Sequence, residues 1–557
     1  MTRVKIKPIL LLIATVLISC AKQGFPPGGP EDRTPPEIVR TQPLQGQTLV
    51  PTGREVDIWF SKGVRPSALS DAVFFSPHPG EGVVFKWSGR RLRIRFPKPF
   101  PDSTTVVVTL GTGIQDYRGN AMKSTFTLAF STGPVLDQGR IRGKVHGTGS
   151  ALGLDVWAYV LRTGSVPDPR RTEPDYAVQC QATGEFAFSH LSPGGYRIYA
   201  VRDRLRDRLY QPDEDEIGVP FRDVVLSPAD QYADSISFRM TREDTLGPSL
   251  VRAAAPDRER MVLLYSESIV LRDPWYGMLR IEGSDSGLFK TAYVDPSNPR
   301  QLCILTRAQQ PNKKYVLFIR GLKDSADNPP DTSTQKIQLE GSGRPDTTLP
   351  RLTAIQPKPG DLSVDVAGAL RLVFDEPMDS TGSRSGIVLS DSAGRPLECK
   401  FRWDTPASVD LTPKASMQSR HRYTLAVRNP LADAFGHAVM DTVIRFRTLN
   451  TDTLSEISGT LGDWKAVSAG TLVVSIRQTE GPDRVYRQTL PKPGPYRFKG
   501  ILPGRYLLEC YRDRDGNGQY SNGNVFPYQP SEQFAVYPDT IAVRSRWPNE
   551  GNNLVLP

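Results

Sequence analysis

Apolar and polar residues alternate with a period of two through most of this chain. Three runs show it best: Val56-Asp57-Ile58-Trp59-Phe60-Ser61, Met261-Val262-Leu263-Leu264-Tyr265-Ser266-Glu267 and Leu370-Arg371-Leu372-Val373-Phe374-Asp375-Glu376. This period puts one set of side chains on one face of a strand and the other set on the opposite face. Each run is followed by a second apolar stretch, at 106–109, 315–319 and 423–427, and then by a turn opened by Asp116, Asp324 or Asp433. A closing strand follows in the first and third cases, at 127–130 and 444–447. Ahead of each run an Asp precedes a Pro by four positions: Asp32 and Pro36, Asp244 and Pro248, Asp346 and Pro350. A further Pro comes at 43, 256 and 357. Several half-buried strands per ~100 residues, punctuated by turn residues, predict a β-sandwich for each repeat.

A second repeat has a different grammar. Gly139-Arg140-Ile141-Arg142-Gly143 leads through Phe186-Ala187-Phe188 to Leu191-Ser192-Pro193-Gly194-Gly195-Tyr196. Glu456-Ile457-Ser458-Gly459 leads through Tyr496-Arg497-Phe498 to Leu502-Pro503-Gly504-Arg505-Tyr506. Pro-Gly between two apolar runs predicts a tight turn joining two strands.

The first repeat resembles the bacterial Ig-like domains of the SbsA type, through its Pro-containing lead-in, its I/L-x-F-S/D strand and its Asp turn. The middle copy departs most, with Asp327-Asn328 where Gly-Asn is expected. The second repeat resembles the prealbumin-like, carboxypeptidase-regulatory type of β-sandwich. The implied fold is all-β, with tandem Ig-like and prealbumin-like sandwiches. The divisions are a signal peptide at 1–19, a tether at 20–33, an Ig-like domain at 34–133 and a prealbumin-like domain at 138–242. A divergent Ig-like domain at 247–341, an Ig-like domain at 349–449 and a prealbumin-like domain at 454–557 complete the chain.

The N-terminus changes the picture. Arg3, Lys5 and Lys7 precede an apolar run at 9–18, which ends in Ser19 and Cys20. A basic start, a short apolar run and a small residue before the cut predict an export signal. The run is too short to span a bilayer as a helix, which takes about 20 residues. Leu17-Ile18-Ser19-Cys20 resembles the lipobox of bacterial lipoproteins, implying lipidation of Cys20 and attachment to a membrane. The Gly- and Pro-rich stretch after it reads as a flexible tether. That tether, followed by Thr34-Pro35-Pro36, resembles those of Bacteroidota lipoproteins. The expected place is the cell envelope, as an outer-membrane lipoprotein whose periplasmic or surface face is open.

Composition adds exclusions. Formal net charge is +10, with charges of both signs spread along the chain. The densest basic stretch, at 90–96, alternates Arg with Leu92, Ile94 and Phe96, so its arginines are expected on a solvated strand face. Nucleic acid is not an expected partner of an exported, tethered chain. The five cysteines and five histidines are scattered, without metal-ligand spacing. Four isolated half-buried thiols are expected besides Cys20. No nucleophile elbow or phosphate-binding loop is present, and the adjacent Asp375 and Glu376 point to opposite strand faces, so the chain reads as non-enzymatic. The acidic run 213–216 reads as a solvated loop.

Two local features could bind something. Asp513-Arg514-Asp515-Gly516-Asn517-Gly518-Gln519 carries side-chain oxygens at alternate positions, as a calcium loop does, with Asn524 where a bidentate Glu would stand. Asp513, Asp515, Asn517 and Gln519 are therefore candidate calcium ligands, although the same residues also build a plain turn. Trp275 and Tyr276, in a loop-like Asp-Pro-Trp-Tyr-Gly setting, are candidates for an exposed ligand contact. The functional expectation is a lipid-anchored scaffold or adhesion module that meets envelope proteins or surface glycans. The alternative is a glycan-binding accessory lipoprotein for polysaccharide capture.

Overall fold

The computed structural model describes residues 32–66, 72–80, 82–147, 151, 153–164, 166–281, 287–331, 336–463, 469–481 and 483–557. Cys20, the signal segment and nearly all of the tether lie outside the described residues.

The first module has seven strands: β1 (Ile38–Gln42), β2 (Glu55–Phe60), β3 (Val73–Ser76), β4 (Val84–Ser88), β5 (Arg91–Arg95), β6 (Thr105–Leu110) and β7 (Phe126–Ser131). They form two sheets, β1-β2-β5-β4 and β3-β6-β7. The alternation explains the sandwich. Val56, Ile58, Leu92 and Ile94 of the first sheet and Val106, Val108, Leu128 and Phe130 of the second share one core. Burying such side chains is the main favourable term in folding.

The arginine face of β5 is less solvated than the pattern predicts. Arg91 and Arg93 both hydrogen-bond Asp57, which is buried across the strand pair. Burial disfavours its ionised form, yet the two guanidiniums hold its carboxyl below the usual range. Arg40 and Arg91 also lie over the Trp59 ring, 5.0 and 5.1 Å from its centroid. The cross-strand acid and the indole face pull these cations off the solvent.

The middle module repeats this strand order. Leu250–Asp257, Arg260–Tyr265, Gln301–Thr306 and Phe289–Val294 are neighbours in one sheet, and Val270–Ile281, Lys314–Lys323 and Lys336–Glu340 in the other. The third module does the same with Leu352–Gln356, Leu370–Phe374, Ser408–Pro413 and Cys399–Thr405. Ile387–Asp391, Arg422–Val427 and Thr442–Arg447 face them, and Pro396–Leu397 extends that sheet.

The two modules of the second type also match each other. In one, Glu185–Leu191, Gly139–His146 and Tyr232–Arg239 form a sheet, and Tyr176–Gln179, Asp155–Val160 and Gly194–Arg202 lie in a second. In the other, Gly494–Ile501, Ser455–Asp463 and Leu554–Leu556 pair, and Val485–Leu490, Thr471–Gln478, Gly504–Asp513 and Phe534–Val536 form the facing sheet. The Pro-Gly turns sit where the sequence puts them, and each is locked by the Tyr that follows. Tyr196 donates its hydroxyl to the Ser192 carbonyl at 2.6 Å, and Tyr506 donates to the Leu502 carbonyl at 2.8 Å.

The fold is thus all-β, in tandem sandwiches. Among the described residues no helix is long and apolar enough to cross a membrane. Cys180, Cys303 and Cys510 are buried free thiols and Cys399 is half-buried. Burial pushes the thiols of Cys180 and Cys510 up to about 12. The acidic run 213–216 is not wholly solvated. Asp215 is buried and accepts the backbone N–H groups of Arg204 and Gln211, both at 2.9 Å.

Contacts divide the chain into two compact units. One holds the first module and most of the second. The other holds the segments Val201–Arg204 and Leu209–Arg222 and everything from Ser237 onward.

Candidate functional site

Each of the three modules of the first type brings its leading Asp against its turn Asp, and the three copies treat that pair of acids differently. In the first, Asp116 is buried and accepts the backbone N–H groups of Arg118 and Asn120, both at 2.9 Å. The Asn120 amide donates to the Asp32 carbonyl at 2.8 Å, stapling the lead-in to the turn. Lys62 lies 2.7 Å from Asp32 and 3.3 Å from Asp116. Its hydrogen bond to Asp32 raises the ammonium's pKa and holds the Asp32 carboxyl well below the carboxylate range. Burial works against Asp116, but the hydrogen bonds from Asn120, Arg118 and Lys62 lower it to about 2.

In the third module Asp433 accepts the N–H groups of Phe435 and His437, and its other oxygen is 2.9 Å from His437 Nδ1. The cation here comes from the preceding module. Arg260 pairs with Glu376, lies 3.5 Å from Asp346 and also holds Asp257 at 2.6 Å. Glu376 is buried, whereas its neighbour Asp375 is exposed. Tyr293 and Cys303 of the middle module also pack with Ala407 of the third, so the two modules share a small apolar contact.

In the middle module the turn is the same. Asp324 is buried and accepts the Asn328 N–H at 2.8 Å, and the Asn328 amide donates to the Asp244 carbonyl at 2.8 Å. At the place of Lys62 stands Glu267, two residues past the strand end. Oxygens of Asp244, Glu267 and Asp324 lie within 4.8 Å of one another. Among the described residues none of the three has an ion-pair partner. Burial and the charges of Asp244 and Asp324 push the Glu267 carboxyl above its ordinary range.

The Asp513 loop forms a second acidic group. The strand Gly504–Asp513 ends on Asp513, whose two oxygens accept the N–H groups of Gly516 at 2.8 Å and Gly518 at 2.9 Å. Asp515 and Glu532 join it, with ligand atoms of the three within 4.8 Å. The rest of the expected calcium set does not converge. The Asn517 oxygen accepts the Gln519 N–H at 2.6 Å, its amide donates to Asp515 at 2.9 Å, and Gln519 is exposed. Glu532, buried, accepts N–H groups from Arg514 and Ser521. Burial, with Asp515 and Asp513 beside it, pushes its carboxyl up. Three carboxylates with no ion pair among the described residues suit a hard divalent ion, although Asp513 already spends both oxygens on the turn.

Trp275 and Tyr276 do not sit in a loop. They lie within the strand Val270–Ile281, at a bulge in its pairing between Leu271 and Tyr276. Trp275 packs edge-on against Phe289, with ring centroids 6.2 Å apart, and joins the module's core, while Tyr276 is 54% exposed. Pro274 reads as a turn residue, yet the bulge absorbs it, and Gly277 pairs with Ile319 in the ladder. Rings at Trp547, 72% exposed, and Phe526, 62% exposed, are more open to solvent than Tyr276.

The two acidic groups border one cleft of about 840 Å³. Its lining comes from 241–245, 325–328 and 514–532, and includes Asp244, Asn328, Asp515, Glu532, Asn522 and Phe526. A clasp holds these segments together. Glu243 accepts the Tyr210 hydroxyl at 3.1 Å and the Val525 N–H at 2.9 Å. Arg239 pairs with Glu509 at 2.7 Å and lies 4.4 Å over the Tyr520 ring. Glu243, Arg239 and Glu532 carry no sequence signal, because their partners are far away along the chain.

Comparison with known proteins bears on two of the modules. The bacterial Ig-like domain family matches residues 32–132 and 346–448, which are the first and third Ig-like modules. No curated protein matches the chain. Among solved structures it is similar to the L,D-transpeptidase LdtMt1 in complex with imipenem, at 12% identity over 25% of this chain and 74% of that one, with a TM-score of 0.16. It is similar to the N-terminal part of the bacterial S-layer protein SbsC, at 12% identity, 31% and 42% coverage, and a TM-score of 0.18. It is also similar to chicken CNTN1 domains FN1–FN3, at 12% identity, 54% and 98% coverage, and a TM-score of 0.14. The chain spans less than half of the S-layer fragment. Two stretches of this protein, 32–132 and 346–448, are bacterial Ig-like domains set among further β-sandwich modules.

Proposed function

We propose that this chain is a lipid-anchored, non-enzymatic protein of the bacterial cell envelope, whose serial sandwiches hold binding loops away from the membrane. The observation that carries the reading is the tandem array itself: two bacterial Ig-like domains among further sandwiches, with polar clusters at the loop ends. Rigid sheets suit presentation of loops, and loops are where recognition concentrates. The lipobox-like Leu17-Ile18-Ser19-Cys20 supplies the anchor. A glycan-capture role has weaker support, because the Trp275 ring is packed into a core instead of forming a platform.

The test has two parts. Cells expressing the chain should incorporate labelled palmitate, and Cys20→Ala should abolish the label and release the protein from membranes. The purified chain should then retain a defined partner from an envelope extract. A chain that stays unlabelled and soluble, or one that retains nothing, would remove the proposal.

A further inference from the structure

We propose that the cleft beside the middle Ig-like module docks a basic segment of a partner protein, whose lysine or arginine side chain enters among Asp244, Glu267 and Asp324. The proposal rests on the binding-scaffold reading above and names the chemistry of the partner.

The three Ig-like modules act as internal controls. In the first, the ammonium of Lys62 bridges the two acids at 2.7 and 3.3 Å. In the third, a guanidinium from another module, Arg260, meets Asp346 and Glu376. The third copy thus satisfies the acids with a cation contributed from outside its own sandwich. The middle copy has the same turn and the same staple but a third acid, Glu267, in place of the cation. Asp244 is exposed, Glu267 half-buried and Asp324 buried, and a positive charge placed among the three would be attracted by all of them.

The surroundings give that charge a way in. Asp244 and Asn328 belong both to this corner and to the lining of the cleft, whose volume of about 840 Å³ admits several side chains. The lining holds five carboxylates, including Asp515 and Glu532, against two arginines, Arg242 and Arg514. This is an acidic hollow on a chain of formal charge +10, so its charge runs against that of the whole molecule. Charge complementarity of this kind steers and selects partners. One further acceptor waits there: Asn522 Oδ1 is shielded from solvent and accepts no hydrogen bond. Phe526, 62% exposed, also lines the cleft.

The experiment uses the full chain and fluorescein-labelled decalysine, read by anisotropy at low and physiological salt. Binding weakened by salt is expected for the wild type. Asp244→Asn with Glu267→Gln should weaken it at least ~10-fold. Glu267→Lys is the sharper variant, because it installs the ammonium that the first module has. It should raise the melting temperature and abolish peptide binding, so loss of binding cannot be blamed on misfolding. The proposal falls if wild-type binding is absent, if decaglutamate binds equally well, or if Glu267→Lys binds like the wild type. It also falls if calcium alone or maltoheptaose occupies the cleft and excludes the peptide. An envelope partner whose capture survives Glu267→Lys would sink this proposal and leave the scaffold reading standing.

Discussion

Glu267 and Asp116 occupy related corners of two modules and respond to acid in opposite directions. Glu267 has a folded pKa above its unfolded one, so its folded form binds the proton more tightly, and stability falls as pH rises through the shifted value. Glu267→Gln should therefore raise the melting temperature at pH 7, with the gain fading below about pH 4, where the carboxyl is protonated in both states. Calorimetry across that range checks it; a gain independent of pH would contradict the assignment. Asp116 has a folded pKa lowered to about 2, so its contribution is full above the ordinary carboxylate range and is lost as pH falls toward that value. At the other acidic group, Asp513→Ala with Asp515→Ala should lower melting in chelator through the lost turn bonds and should lower it further in calcium, since a ligand that binds only the folded state stabilises it by mass action. Identical melting of the wild type in calcium and in chelator would remove calcium from this loop.

Among elements, the two modules of the second type share a glycine whose reason is visible only in the sheet. A Cβ on Gly143 would come 1.9 Å from the Ile236 carbonyl, and one on Gly459 would come 2.1 Å from the Asn552 carbonyl. The neighbouring chain passes too close for any side chain. Gly459→Ala should cost about 1–3 kcal/mol, seen as a lower urea midpoint at unchanged slope. A midpoint equal to that of the wild type would mean the strands can part without penalty. The Asp turns and the Pro-Gly turns were legible from the residues, because Asx bonding and positive φ are local demands. The Trp275 stretch was not, because a bulge lets turn-forming residues remain inside a strand.

At the scale of the whole molecule, an ion pair and a hydrogen bond link segments far apart along the chain. Arg239 and Glu243 reach the final module across sequence separations of 270 and 282 residues. The stretch they flank lines the cleft, so the clasp also shapes the candidate site. Arg239→Ala with Glu243→Ala should speed proteolytic nicking around 244–247 several-fold under native conditions, because cleavage follows the population of locally opened chain. Unchanged nicking would show that the clasp adds no local stability.

What the sequence determined by itself was the repeating sandwich: its alternation, its turns and the order of its modules. Those features depend on the backbone geometry of each residue and its near neighbours, so they can be read in a line. The tertiary structure decided which charges meet. Lys62, Glu267 and Glu376 take the same position in three copies, yet one is a cation among acids, one an acid without a cation and one an acid held by Arg260 of another module. Electrostatic partnership depends on distance through space and on burial, and strand register and module contacts set both.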